Sequence, residues 1–142
     1  MYPPWTFWDF GEVIEDWYRL LSEEAQDAFN SILKNSAKVE RHGDWVAFKR
    51  FLKGMSQPIW ELEFTADRRQ YRVFGMFASG VHPDCWPYPL TSTRKHVILL
   101  VGCYHKQKVY TPSDSISTAE RRAKMLKEGR ALLHERKVNA NI

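Results

Sequence analysis

The chain has 142 residues, of which 44% are hydrophobic and 14% aromatic; this suits one folded domain with a core and excludes a disordered chain. Its net charge of +4 conceals an asymmetry: residues 1–67 carry 7 Lys/Arg against 12 Asp/Glu, and residues 68–142 carry 14 against 5. That distribution points to one basic surface for a polyanion, although a solvated C-terminal helix containing Arg121, Arg122, Lys124, Lys127, Arg130, Arg136 and Lys137 accounts for part of the excess.

In chain order, "TFWDF" reads as a short strand, and "EVIEDWYRLL" and "SEEAQDAFNSILKNSAK" as two helices, the second capped by Ser22. Ala25, Phe29, Ile32 and Leu33 give that second helix an apolar stripe. "DWVAFKRFLKGM" places Trp45, Phe48 and Leu52 at helical spacing and predicts a third, shorter helix. The period then becomes two. In "PIWELEF", Trp60, Leu62 and Phe64 alternate with Glu61 and Glu63, and "RQYRVFGMF" follows after "TADR", so a hairpin is expected. The Pro-rich "ASGVHPDCWPYPLTSTR" (78–94) is too long for a tight turn and reads as an excursion. "VILLVGCY" is apolar on both faces, as in a central strand. From Thr111 to Lys137 the pattern predicts one C-terminal helix, with Ser115 or Ser117 as cap, Ile116, Ala119, Ala123 and Leu126 inside, and a possible kink at Gly129. The expected fold is α+β: N-terminal helices, an antiparallel meander and a C-terminal helix.

Nothing in the chain reaches the roughly 18 apolar residues of a membrane-spanning helix. The start, "MYPPWTFWDFGEVIEDW", has neither the basic nor the apolar region of a signal peptide. Cys85 and Cys103 can form at most one bridge and read as reduced thiols, so a cytoplasmic protein is expected. His82-x2-Cys85 and Cys103-x-His105 have metal-ligand types at short spacing, but the strand between them separates the pairs, and no metal or cofactor is expected. Trp5, Trp8 and Trp17 either cover a core edge or form an exposed platform.

"IWELEF" (59–64), "YRVFGMF" (71–77), "HVILLVGCYHKQK" (96–108) and "TPSDSISTAERR" (111–122), in that order, resemble the RelE/HigB-like toxins of bacterial toxin–antitoxin systems, especially the phage-derived HigB-like branch. The resemblance covers roughly residues 10–125 and implies a RelE-like fold, an RNA endonuclease of the mRNA interferase type working without metal, in some members at the ribosome, and a small helix-turn-helix antitoxin as partner. It places Arg72 and Lys106 on the scissile phosphate, with Lys108 replacing a second lysine. Glu63 stands where the family has an arginine, and Gln107 interrupts its lysine pair. From residue chemistry, Arg72 can clamp a phosphate or bridge to Glu61 or Glu63. Lys106 and Lys108 are phosphate contacts or hydrated loop residues, and His105 can move a proton near neutral pH. Tyr110, Arg69 and Arg68 are candidates for RNA contact. Two other readings stay open: an RNA- or ribosome-binding module without cleavage, and a protein-interaction domain using the excursion and the N-terminal aromatics.

Overall fold

The computed structural model describes residues 3–90 and 93–138. Its elements in chain order are β1 (Trp5–Phe10), α1 (Val13–Arg19), α2 (Glu23–Ala37), β2 (Phe48–Phe51), β3 (Trp60–Ala66), β4 (Arg69–Phe77), β5 (Lys95–Lys106), β6 (Val109–Thr111), α3 (Ser115–Lys127) and β7 (Leu133–Arg136). They form a seven-stranded sheet in the order β2-β3-β4-β5-β1-β7, with β6 pairing β5. Helices α1 and α2 cover one face and α3 the other, each over its own apolar cluster.

The expected antiparallel meander with a RelE-like outline is therefore wrong. The sheet is mixed and larger, because β1 lies parallel to β5 and antiparallel to β7. Strand β1 is buried at all six positions, a pattern that only an interior strand can satisfy. The third helix is wrong as well: Arg41 leads into a short 3-10 turn at His42–Asp44, and the chain continues as β2 along β3. Trp45 and Ala47 point inward at period two, and the Glu63 amide donates to the Ala47 carbonyl at 2.9 Å. The C-terminal helix stops at Lys127. Gly129, at φ +75°, terminates it instead of kinking it, and Leu133–Arg136 returns as β7. The α3 N-cap is Asp114; Ser115 and Ser117 hydroxyls turn back to the carbonyls of Pro112 and Asp114.

Other elements match expectation. Ser22 caps α2 by accepting from the Ala25 amide at 3.1 Å, and Ala25, Phe29 and Leu33 are buried. Strands β3 and β4 form the hairpin, and β5 lies inside the sheet. The excursion crosses the α3 face through two 3-10 turns, Ala78–Gly80 and Pro83–Cys85; its Thr91 and Ser92 lie outside the described residues. Among the described residues no helix is long and apolar enough to cross a membrane.

Trp5 and Trp8 are core residues, and Trp17 docks α1 on the sheet over Gly102. A Cβ on Gly102 would sit 2.3 Å from the Trp17 ring. Gly102→Ala must displace α1 or bend β5, so urea unfolding should show a loss of about 1–3 kcal/mol, the usual cost of overpacking. An unchanged midpoint would mean that α1 contributes little to the fold.

Candidate functional site

Two tight turns form one end of the sheet. In Ala66-Asp67-Arg68-Arg69 and Lys106-Gln107-Lys108-Val109 both central residues have positive φ (52° and 60°; 50° and 66°), as two-residue hairpin loops require. Gln70 pairs with His105, so the two tips are neighbours. They carry Arg68, Arg69, Lys106 and Lys108, all exposed. Arg69 lies over the Tyr104 ring, 5.0 Å from its centroid.

Just behind the tips, on the α3 face, is a polar cluster. The Glu61 carboxylate has no exposed surface and accepts from Arg72 Nη1 at 2.9 Å and from the Tyr110 hydroxyl, with Arg50 Nε at 3.4 Å. Arg72 also reaches Glu63 at 3.2 Å and Gln70 at 3.0 Å. Tyr110 receives Arg50 Nη2 at 3.3 Å, and its ring lies 4.8 Å from the His105 ring. Within this cluster Arg72 Nε and His105 Nδ1 are buried without a partner among the described residues.

Charge states follow from these surroundings. Burial lowers the His105 pKa below its usual 6.5, and the Arg72 cation lowers it further against the opposing pull of Glu61. At neutral pH the imidazole is therefore neutral and able to accept a proton. Burial raises Tyr110 above 10, and its bond to Glu61 adds to that, so the ring keeps its phenolic proton. Cys103, nearby, is pushed up to about 12 by burial and is a thiol. Cys85 is also free and buried, with its Sγ donating to the Leu126 carbonyl at 3.3 Å. Among the described residues no three His, Cys, Asp or Glu side chains gather as metal ligands.

The structure thus brings Arg72, His105 and Tyr110 together and leaves Lys106 out. Arg72 pairs with Cys103 across the strands, which puts it on the face of residues 103 and 105. Lys106 alternates to the opposite face, with Tyr104. The expected convergence of Arg72 and Lys106 on one phosphate fails for that reason. Arg72 is 4% exposed and engaged with both glutamates, the alternative that the sequence reading left open. Lys108 sits on the turn, and Lys106, Arg68 and Arg69 can form only the rim. One residue escaped the sequence reading, Arg50, placed in a helix; Glu61 enters it only as a possible salt-bridge partner of Arg72. Four hollows of about 400–610 Å³ lie away from this cluster. Of the C-terminal cations, Arg122 is tied to the Leu100 carbonyl at 2.6 Å and Arg136 to Asp9 and Glu15.

Comparison of the chain with known protein families, with curated proteins and with solved structures finds no match.

Proposed function

We propose that this chain is a toxin-type endoribonuclease that grips single-stranded RNA at the paired hairpin tips and cleaves it beside His105 and Tyr110. The observation that carries the reading is the His105 imidazole packed against the Tyr110 phenol at 4.8 Å, just behind hairpin tips that carry exposed Arg68 and Lys108. Metal-independent cleavage needs that pairing. A base takes the proton of a ribose 2′-hydroxyl, whose oxygen attacks the neighbouring phosphorus. An acid returns a proton to the departing 5′-oxygen, leaving a 2′,3′-cyclic phosphate and a 5′-hydroxyl. His105 is the base, and Tyr110 is the acid once its hydroxyl turns from Glu61 toward the leaving oxygen. Arg50, half exposed and held by Glu61 and Tyr110, offsets charge on the phosphoryl oxygens. Arg72 orders Glu61 and so orients Tyr110; it does not reach the phosphate. The partners of this reading are those that the four-segment resemblance to RelE/HigB-like toxins implies: messenger RNA, a small helix-turn-helix antitoxin, and a bacterial cytoplasm. A small helix-turn-helix reading frame beside this one supports the pairing, and an unrelated neighbour counts against it.

One observation favours a second reading, RNA binding without cleavage: Arg72 is sealed by two glutamates and Lys106 faces away from it. Controlled expression with mapping of RNA 5′ ends separates the two. New 5′-hydroxyl ends that vanish in His105→Ala support the nuclease; retained RNA without new ends supports the binder.

The tips should act as electrostatic contacts. Lys106→Ala/Lys108→Ala should weaken RNA binding and lower the slope of log affinity against log salt by about 1.4, from ~0.7 per contact on single strands. An unchanged slope would remove the tips from the interface.

A further inference from the structure

The excursion crosses the far end of the sheet from the hairpin tips, and its second half rests on one histidine. Trp86 meets Trp8 edge to face at 4.9 Å and lies 5.9 Å from the His96 ring; Tyr88 is 5.9 Å from Trp8 and donates its hydroxyl to Glu135 at 3.1 Å. His96 is bonded through Nδ1 to the Thr6 hydroxyl, which also accepts from Trp8 Nε1 at 2.9 Å. Its Nε2 is buried and has no partner.

We propose that His96 is a pH-sensitive latch: neutral, it holds the Trp86–Leu90 half of the strap against Trp8, and protonated, it releases that half. The chemistry lies at Nε2. As a bare lone pair in an aromatic wall it costs little. Once protonated it becomes a charged donor with no acceptor among the described residues, and burying such a group is expensive. Thr6 can take the Nδ1 proton but cannot serve Nε2. The charged groups acting on the ring are Arg94, close to it in the chain, which opposes protonation, and Glu135 on β7, which favours it but is already held by Tyr88 and by Lys137 at 3.2 Å. Among the described residues of the strap, the Trp86 ring is what meets His96. Burial, the larger influence, and Arg94 together hold the His96 pKa below 6.5. The sign follows: strap docking is complete above pH ~6.5 and is lost as pH falls toward the lowered value. The first half of the strap stays attached, because the His82 amide and Cys85 Sγ both bond the Leu126 carbonyl at the end of α3. Release would bare Trp8, which is 2% exposed when docked, and create an apolar surface confined to acid conditions.

Fluorine-labelled tryptophan followed by 19F NMR tests this, with the six signals assigned by Trp→Phe variants. Between about pH 7.5 and about pH 5 the Trp86 signal should leave its docked position while Trp17, packed against Phe29 on the other face, stays fixed; His96→Asn, which cannot titrate, should hold Trp86 in place throughout. A Trp86 signal that ignores pH, one that titrates equally in His96→Asn, or one that moves together with Trp17 would overturn the latch. Should His96→Asn fail to fold, the wild-type His96 ring-proton titration decides: a midpoint at or above ~6.5 overturns it.

Discussion

His105→Ala should reduce RNA cleavage by about 10²–10⁴-fold, the usual worth of a placed proton-transfer group, and leave RNA affinity within about twofold. The asymmetry arises because the ring lies behind the binding tips and not in them. Its environment also sets the shape of the pH profile. Burial and Arg72 keep His105 below 6.5, so the base is fully available at neutral pH, and activity should fall only as pH drops through that lowered value. Burial holds Tyr110 above 10, so no alkaline loss should appear below about pH 9. Tyr110→Phe should give a comparable loss of cleavage with binding again retained, since the hydroxyl alone is removed. Single-turnover cleavage of a short RNA at saturating enzyme is the appropriate assay. If both variants cut at the wild-type rate, the imidazole–phenol pair has no part in the reaction. If neither they nor the wild type cut, RNA binding at the tips is the activity that remains.

The elements legible in the sequence were those whose pattern is set locally. Ser22 before an apolar stripe marks a capped helix, and alternation in "PIWELEF" marks a strand, because each depends on neighbours a few residues apart. The errors came where distant chain decides. Residues 45–52 carry apolar side chains at spacings that fit either period, and only the open edge of β3 makes them a strand. Leu133–Arg136 has no strand signature; β1 recruits it, because a fully buried β1 needs a partner on both sides. The site was half legible for the same reason. Residue chemistry brought His105, Tyr110 and Arg72 forward, and the register brought them together. Lys106 was misplaced by one step of alternation, which moves a side chain through the sheet. The burial of Glu61 was not legible, because a carboxylate in an alternating strand is ordinarily on the wet side. Here β6 and Tyr110 cover that side, and the charge survives burial only because Arg72 and Arg50 meet it.

That last point carries the largest expected effect on stability. Glu61→Leu removes the acceptor from an arginine that is 4% exposed, leaving it Glu63 and Gln70 at the sheet surface. Breaking a buried pair from one side costs about 3–5 kcal/mol, and urea unfolding should show a loss in the lower half of that range because those partners remain. Arg72→Met should cost a similar amount, with Glu61 left to Arg50 and Tyr110. The double variant Glu61→Leu/Arg72→Met should recover most of the loss, since apolar side chains of similar volume replace two desolvated charges. Cleavage should not recover with it: without Glu61 the Tyr110 hydroxyl loses its acceptor and Arg50 its carboxylate partner, so neither is held in place. A double variant as unstable as the sum of the singles would mean that the ion pair is not coupled. A stable double variant that still cleaves at the wild-type rate would separate Tyr110 from the chemistry and leave His105 to act without it.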